Sequence, residues 1–228
     1  MEPKLDQLQK KVDVNFKRPE LLNLAMIHPS YLAEHPEVKK HNQRLEFLGD
    51  AVLGSAVAYF LYQHYPQSSE GELTKVRAAV VCESSLASIA RELDLGDYIC
   101  LGRGEALSGG KDRASILADA FEALTAAVFL DQGWQKVCSF LWSILQEKIE
   151  KTVQGVSSDF KTLLQETIQR RGNDHLTYRL LSEMGPDHDK LFTSGVYLNN
   201  RLLGSGTGKS KKESEQQAAK EAMEKCTW

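Results

Sequence analysis

Glu46 and Asp50 stand four residues apart in NQRLEFLGDAVL, residues 42–53, and Asp119 and Glu122 stand three apart in SILADAFEAL, residues 115–124. Both spacings put a pair of carboxylates on one face of a helix, because positions i, i+3 and i+4 stack on the same side. Apolar Leu45, Leu48, Val52 and Leu53 recur at helical spacing around the first pair, so this helix reads as largely buried. Carboxylates taken from water among apolar neighbours are unfavourable unless something pairs with them, and clustered like charges are worse. A hard divalent cation with oxygen ligands relieves both problems, which points to magnesium. The competing reading of either pair alone is an ordinary solvated helix face. Gly49, immediately before Asp50, weighs against it, since a glycine inside a helix is unfavourable and often marks close approach of backbone or ligand.

Helical periodicity dominates residues 1–150. DQLQKKVDV, PELLNLAMI, RLEFLGDAVLGSAVAYFLYQHY, GELTKVRAAVV, ESSLASIAREL, SILADAFEALTAAVFLD and WQKVCSFLWSILQEKIEKTV each predict a helix, with breaks at Pro19, Pro29, Pro66 and the glycine-rich segment 102–110. Pro19 and Glu20 suit a first helical turn, where proline's missing N–H is not needed. VQGVSSD, residues 153–159, predicts a short linker, with Ser158 or Asp159 as N-cap of the next helix. DFKTLLQETIQRRG then predicts an amphipathic helix ending at Gly172. Three β-leaning segments come after it, LTYRLLSEM, KLFTSGVYLNN and NRLLGSGTG, with turns at Gly185-Pro186 and Asn199-Asn200, and KSKKESEQQAAKEAMEKC predicts a closing helix. The expected fold is an all-α domain over 1–152, a linker over 153–159 and a small α+β domain of order α-β-β-β-α over 160–228.

Composition narrows the function classes. The 228 residues are 42% hydrophobic and 26% charged, an ordinary globular balance. No apolar run approaches the roughly 20 residues of a membrane span, and the charged start MEPKLDQLQKKV lacks a secretory core. Cys82, Cys100, Cys138 and Cys226 are scattered without a CxxC pair, which reads as reduced thiols rather than zinc ligands or disulfides. A cytoplasmic protein with no membrane partner is the resulting expectation. The net charge of −3 argues mildly against a nucleic-acid partner, but the densest basic run lies near the C-terminus, away from the carboxylates. Lys209, Lys211 and Lys212 stand at or just before a helix N-terminus, where the dipole and free N–H groups favour phosphate. A solvated helix start is the alternative. Thr162, Gln165, Glu166 and Gln169 form a polar stripe at i, i+3, i+4 and i+7 on the helix that opens the second domain.

NQRLEFLGD resembles the signature of the ribonuclease III family, and SILADAFEAL resembles that family's second acidic segment. IHPSY at 27–31, EGELTKVRAAVV at 70–81, LGRGE at 101–105 and SGGKDRASILAD at 108–119 match in family order. GSGTGKSKKESEQQAAKEA resembles the loop and second helix of the double-stranded RNA-binding domain. The resemblance implies a homodimeric endoribonuclease that cuts double-stranded RNA. A water activated by magnesium, with manganese as substitute, would attack the phosphodiester in line, leaving 5′-phosphate and 3′-hydroxyl ends with short 3′ overhangs. Glu46, Asp50, Asp119 and Glu122 are the implied metal ligands, Asp50 and Glu122 the most essential. Glu70 matches an auxiliary acidic position, although a carboxylate favourable to its own helix dipole explains it equally well. Phe47 matches an aromatic that enters a pocket of the partner subunit, with a plain core phenylalanine as the alternative. The stripe Thr162, Gln165, Glu166 and Gln169, His188 in the loop around Pro186-Asp187, and the three lysines are the implied contacts to minor-groove hydroxyls, base edges and phosphates. Processing of ribosomal and messenger RNA is the implied role.

One position departs from the pattern. Gln43 stands where the family signature has Glu, keeping hydrogen-bonding capacity without charge, so no catalytic role is carried onto it. A catalytically silent double-stranded RNA-binding protein is the alternative function, disfavoured by the intact carboxylates. LGRGE and SGGKDR lack Walker spacing and a preceding strand, so no nucleotide site is expected. His28 reads as a packing histidine and Trp134 and Trp142 as core, while Ser30 and Ser115 lack the partners of a nucleophile.

Overall fold

A computed structural model describes residues 5–157, 159–169, 175–186 and 189–225. The chain divides into two units, Met1–Val153 and Gln154–Trp228. In the first, α1 (Leu5–Lys11), α2 (Pro19–Ala25) and a 3₁₀ turn at Pro29–Ala33 precede α3 (Gln43–His64), α4 (Glu70–Val81), α5 (Glu83–Glu92), α6 (Arg103–Leu107) and α7 (Ala114–Ser157), whose last turn runs past Val153. Pro19 opens α2, where its fixed φ is already helical. A capping box opens α4: Ser69 Oγ accepts from Glu72 N–H at 3.3 Å, and the Glu72 carboxylate accepts from Ser69 N–H at 2.7 Å.

The two helices predicted between residues 115 and 153 form one element, α7, broken at Gly133 (φ 79°, ψ −173°), a conformation open to glycine and scarcely to other residues. Helical backbone then continues to Ser157, so the expected linker over 153–159 is helical for most of its length. One glycine in VQGVS disfavours a helix by about 1 kcal/mol relative to alanine, too little to end one that is already propagating.

Helices α3 and α7 supply much of the core, including Leu53, Val57 and Leu61 from the first and Phe121, Leu124 and Val128 from the second, all buried. By length and composition α3 is the one helix among the described residues that could cross a membrane. Its buried side belongs to this core. The amino-terminal segment is anchored to α7 by Asp131, whose carboxylate accepts from Lys17 N–H and Arg18 N–H, both at 2.9 Å. Burial alone would raise the Asp131 pKa, but the donors from Lys17, Gln132 and Arg18 outweigh it and hold the carboxylate below its ordinary range.

The second unit has α8 (Phe160–Gln169), then β1 (Leu176–Met184), β2 (Leu191–Leu198) and β3 (Arg201–Gly208) in one antiparallel sheet of order β1-β2-β3, then α9 (Lys211–Lys225). Leu164, Ile168, Val196, Ala218, Ala219 and Ala222 form its core. Asp159 caps α8, accepting from Thr162 Oγ1 at 2.7 Å. Ser158 and Gly172 lie outside the described residues. The expected turn at Asn199-Asn200 has positive φ at both residues (48° and 68°), as a tight hairpin requires. Gly206 lets β3 lie directly on α9, since a Cβ there would stand 2.3 Å from the Ala218 nitrogen.

Candidate metal centre and nucleic-acid interface

Glu46 from α3 and Asp119 and Glu122 from α7 each bring one carboxylate oxygen to within 4.8 Å of the other two. The two helices can meet this closely because Gly49 lies against the backbone of Glu122, where a Cβ would stand 1.8 Å from the carbonyl oxygen. Glu46 acts electrostatically on both Asp119 and Glu122, and Asp50 acts on Glu122. The acids therefore advance together along the two helices, with Asp50 one turn beyond Glu46.

Burial is the main cause that raises Asp119 to about 6 and Glu122 to about 7, and neighbouring carboxylates add to it. Burial also raises Glu46. Among the described residues, the groups that act on these three carboxylates are other carboxylates. An octahedral magnesium site with ligands at about 2.1 Å places opposite oxygens ~4.2 Å apart. Three half-buried hard oxygens already gathered to that scale, with no balancing cation among the described residues, fit a divalent metal ion.

Asp50 is exposed and stands outside the tight trio, within electrostatic range of Glu122. Glu83, at the start of α5, acts on Asp119 and was not expected there. As a lone acid after Cys82 it has no partner at helical spacing that could have marked it. Glu70 stands elsewhere: it opens α4, accepts from Thr74 Oγ1 at 3.0 Å, and lines a cavity of about 660 Å³ with Ala58, Tyr62, Tyr65, Leu73 and Arg77.

Phe47 is 82% exposed, which removes the core alternative. It shares one face of α3 with Ala51, Ala58 and Tyr62, spaced i, i+4, i+11 and i+15, and Tyr62 is 72% exposed. Trp134 is a correction to the expected core: it follows the Gly133 break and is 38% exposed, edge-on to Tyr59. Trp142 is half-buried between Phe60 and His64, with ring centroids 5.1 Å and 4.6 Å away.

His28 hydrogen-bonds through Nδ1 to Ser30 Oγ at 2.8 Å, and Ser30 Oγ accepts from Gly102 N–H at 3.0 Å. Arg113 pairs with Glu105 at 2.5 Å. IHPSY, LGRGE and SGGKDR thus brace one another ahead of α7.

In the second unit Gln165 and Gln169 are exposed, Thr162 and Glu166 half-buried. Lys209, Lys211 and Lys212 are exposed around the start of α9, where Ser210 Oγ accepts from Glu213 N–H at 3.1 Å. Lys211 Nζ lies 3.2 Å from Glu183, a residue the sequence did not single out. His188 lies outside the described residues.

Residues 18–149 match the family model described as Ribonuclease-III-like, and residues 160–226 match the double-stranded RNA binding motif. A helical nuclease unit with an acidic cluster, followed by that motif, defines an endoribonuclease of double-stranded RNA. The chain is 51% identical over 205 residues to Ribonuclease 3 of Syntrophomonas wolfei, covering 90% of this chain and 88% of that one. It is 50% identical over 224 residues to Ribonuclease 3 of Pelotomaculum thermopropionicum, covering 97% and 93%. A solved nuclease domain of ribonuclease III from Campylobacter jejuni, described as flexible in a region involved in dimer formation, aligns with a TM-score of 0.59 at 37% identity, over 63% of this chain and 97% of that one. The chain belongs to the ribonuclease III family.

Proposed function

We propose that the protein hydrolyses phosphodiesters of double-stranded RNA with magnesium, manganese substituting, and leaves 5′-phosphate and 3′-hydroxyl ends with short 3′ overhangs. The observation that carries this reading is the trio Glu46, Asp119 and Glu122, gathered within 4.8 Å with no cationic partner among the described residues. These three would hold the metal ion, with Asp50 beside Glu122 completing the set. A divalent ion bound there would supply an activated water and offset the charge that builds on the phosphorus centre. The chain's own part is to hold the carboxylates at the right spacing, and Asp50 and Glu122 are assigned the most essential roles. Intact carboxylates at all four positions disfavour the silent RNA-binding alternative.

We assign 1–152 to the nuclease and 160–228 to RNA binding, through the α8 stripe Thr162, Gln165, Glu166 and Gln169, the loop bearing His188, and Lys209, Lys211 and Lys212. A homodimer is supported by the exposed face of α3, where Phe47 of one copy would enter the cavity beside Tyr62 of the other. Glu70 lines that cavity, so its auxiliary role would be exerted across the dimer. Ribosomal and messenger RNA processing in the cytoplasm is the role proposed.

The test is a labelled, fully paired RNA of some forty base pairs, incubated with magnesium, with calcium, or with chelator. Staggered cutting of both strands in magnesium alone is expected. Binding without cutting in every metal would sink the reading and make Gln43→Glu the first reversion to try.

A further inference from the structure

Glu183, near the end of β1, stands between two lysines. One carboxylate oxygen lies 3.2 Å from Lys211 Nζ at the start of α9, and the other lies 3.9 Å from Lys190 Nζ just ahead of β2. The Lys211 ammonium also sits over the Phe192 ring, 5.8 Å from its centroid. These side chains are 33% to 61% exposed, so water and salt screen both pairs. A carboxylate held between two ammonium groups occupies the place a phosphodiester oxygen would take, because both are oxyanions that accept the same charge-assisted hydrogen bonds.

We propose that Glu183 limits RNA affinity as an internal competitor that holds Lys190 and Lys211 until an RNA delivers phosphates to both at once. The inference rests on the reading of the Lys209–Lys212 edge as the duplex-binding surface. A tethered carboxylate competes at high effective concentration, so a single phosphate displaces it poorly. An A-form duplex presents its phosphates in fixed geometry, and the gains at two lysines accrue together. A single strand that meets only one of the two lysines displaces the carboxylate from that one alone, so removal of the competitor strengthens a single strand no more than a duplex. The residue thereby sets how strongly the lysine edge holds a duplex.

The experiment uses the full chain in chelator, with fluorescence anisotropy on a labelled duplex and on one of its strands alone, at several salt concentrations. Glu183→Gln should strengthen duplex binding about threefold to fivefold and single-strand binding by no more than that, the range a screened surface pair allows. Its salt dependence should steepen, because a competing anion has left a cationic edge. Glu183→Ser must move in the same direction, since charge and not shape is removed. Unchanged or weaker binding by either variant overturns the proposal and makes Glu183 a support that orients the lysines. Lys211→Ala separates the two levels. If it leaves duplex binding intact, the lysine edge itself has been misassigned; if it weakens duplex binding while Glu183→Gln has no effect, only the competitor fails.

Discussion

The α-carbon of Gly49 rests against the carbonyl of Glu122, so closely that a methyl group in place of its hydrogen would stand 1.8 Å from the oxygen. The neighbour is backbone, which cannot rotate away as a side chain can. Helix separation at the metal centre is therefore set by a residue with no chemistry of its own.

Gly49→Ala should push α3 off α7 and spread Glu46 from Asp119 and Glu122. Overpacking of this kind destabilises by about 1–3 kcal/mol, and a shift of about 1 Å at a reacting centre can lower the rate about a hundredfold. Thermal melting and single-turnover cutting would measure both. Wild-type cutting by this variant would show that the helix contact does not govern the site.

Asp119 and Glu122 titrate at about 6 and about 7 in the folded chain, above the ordinary carboxylate range. Between about pH 4 and pH 7 the folded state therefore binds more protons than the unfolded state, so without metal its stability falls as pH rises. A divalent ion needs the ionised forms and reverses that loss. Magnesium should raise the melting temperature clearly at pH 8 and little at pH 5, and cutting should climb across the same interval. An equal magnesium shift at both values would contradict the assignment.

Glu122→Gln should separate stability from activity. It removes one of the crowded negative charges, so the metal-free protein should melt higher at pH 8 than wild type while cutting is abolished. Anisotropy on duplex RNA should change little, because the binding surface lies in the other unit. Loss of binding along with cutting would place Glu122 in recognition rather than chemistry.

Much of the fold and the candidate metal centre is legible in the sequence alone. Apolar residues at helical spacing locate the helices, and two acid pairs with a glycine beside one of them point to the acidic cluster. What spacing along one helix cannot supply is distance across two. Hence Asp50, expected with Glu122 to be the most essential ligand, stands outside the trio, and Glu83 acts on Asp119 from a third helix without any motif. Trp134 has the composition of a core residue, but the turn at Gly133 sends it to the surface. The segment 153–159 has the composition of a linker and is helical to Ser157 because helix already formed propagates through weak formers. Glu183 could not be found at all, since its partners lie 7 and 28 positions away in sequence.

Phe47→Ser should weaken self-association, because it deletes the most exposed aromatic of the α3 face. Sedimentation velocity across a concentration series should show monomer at concentrations where wild type is dimeric, and cutting should become concentration-dependent. A monomeric wild-type protein would remove the basis for the dimer.

The Asp131 cap bears on how the catalytic unit can be handled as a recombinant fragment. Likeness to the nuclease family model begins at residue 18, which makes that residue a tempting place to start. A fragment beginning there would discard buried Leu8, Val12, Val14 and Phe16 and cut the chain between the two backbone donors of Asp131. A carboxylate shielded from solvent would lose the Lys17 N–H and find a flexible terminal amine where Arg18 N–H had been. The stretch ahead of residue 18 therefore belongs inside any fragment meant to keep the metal centre intact.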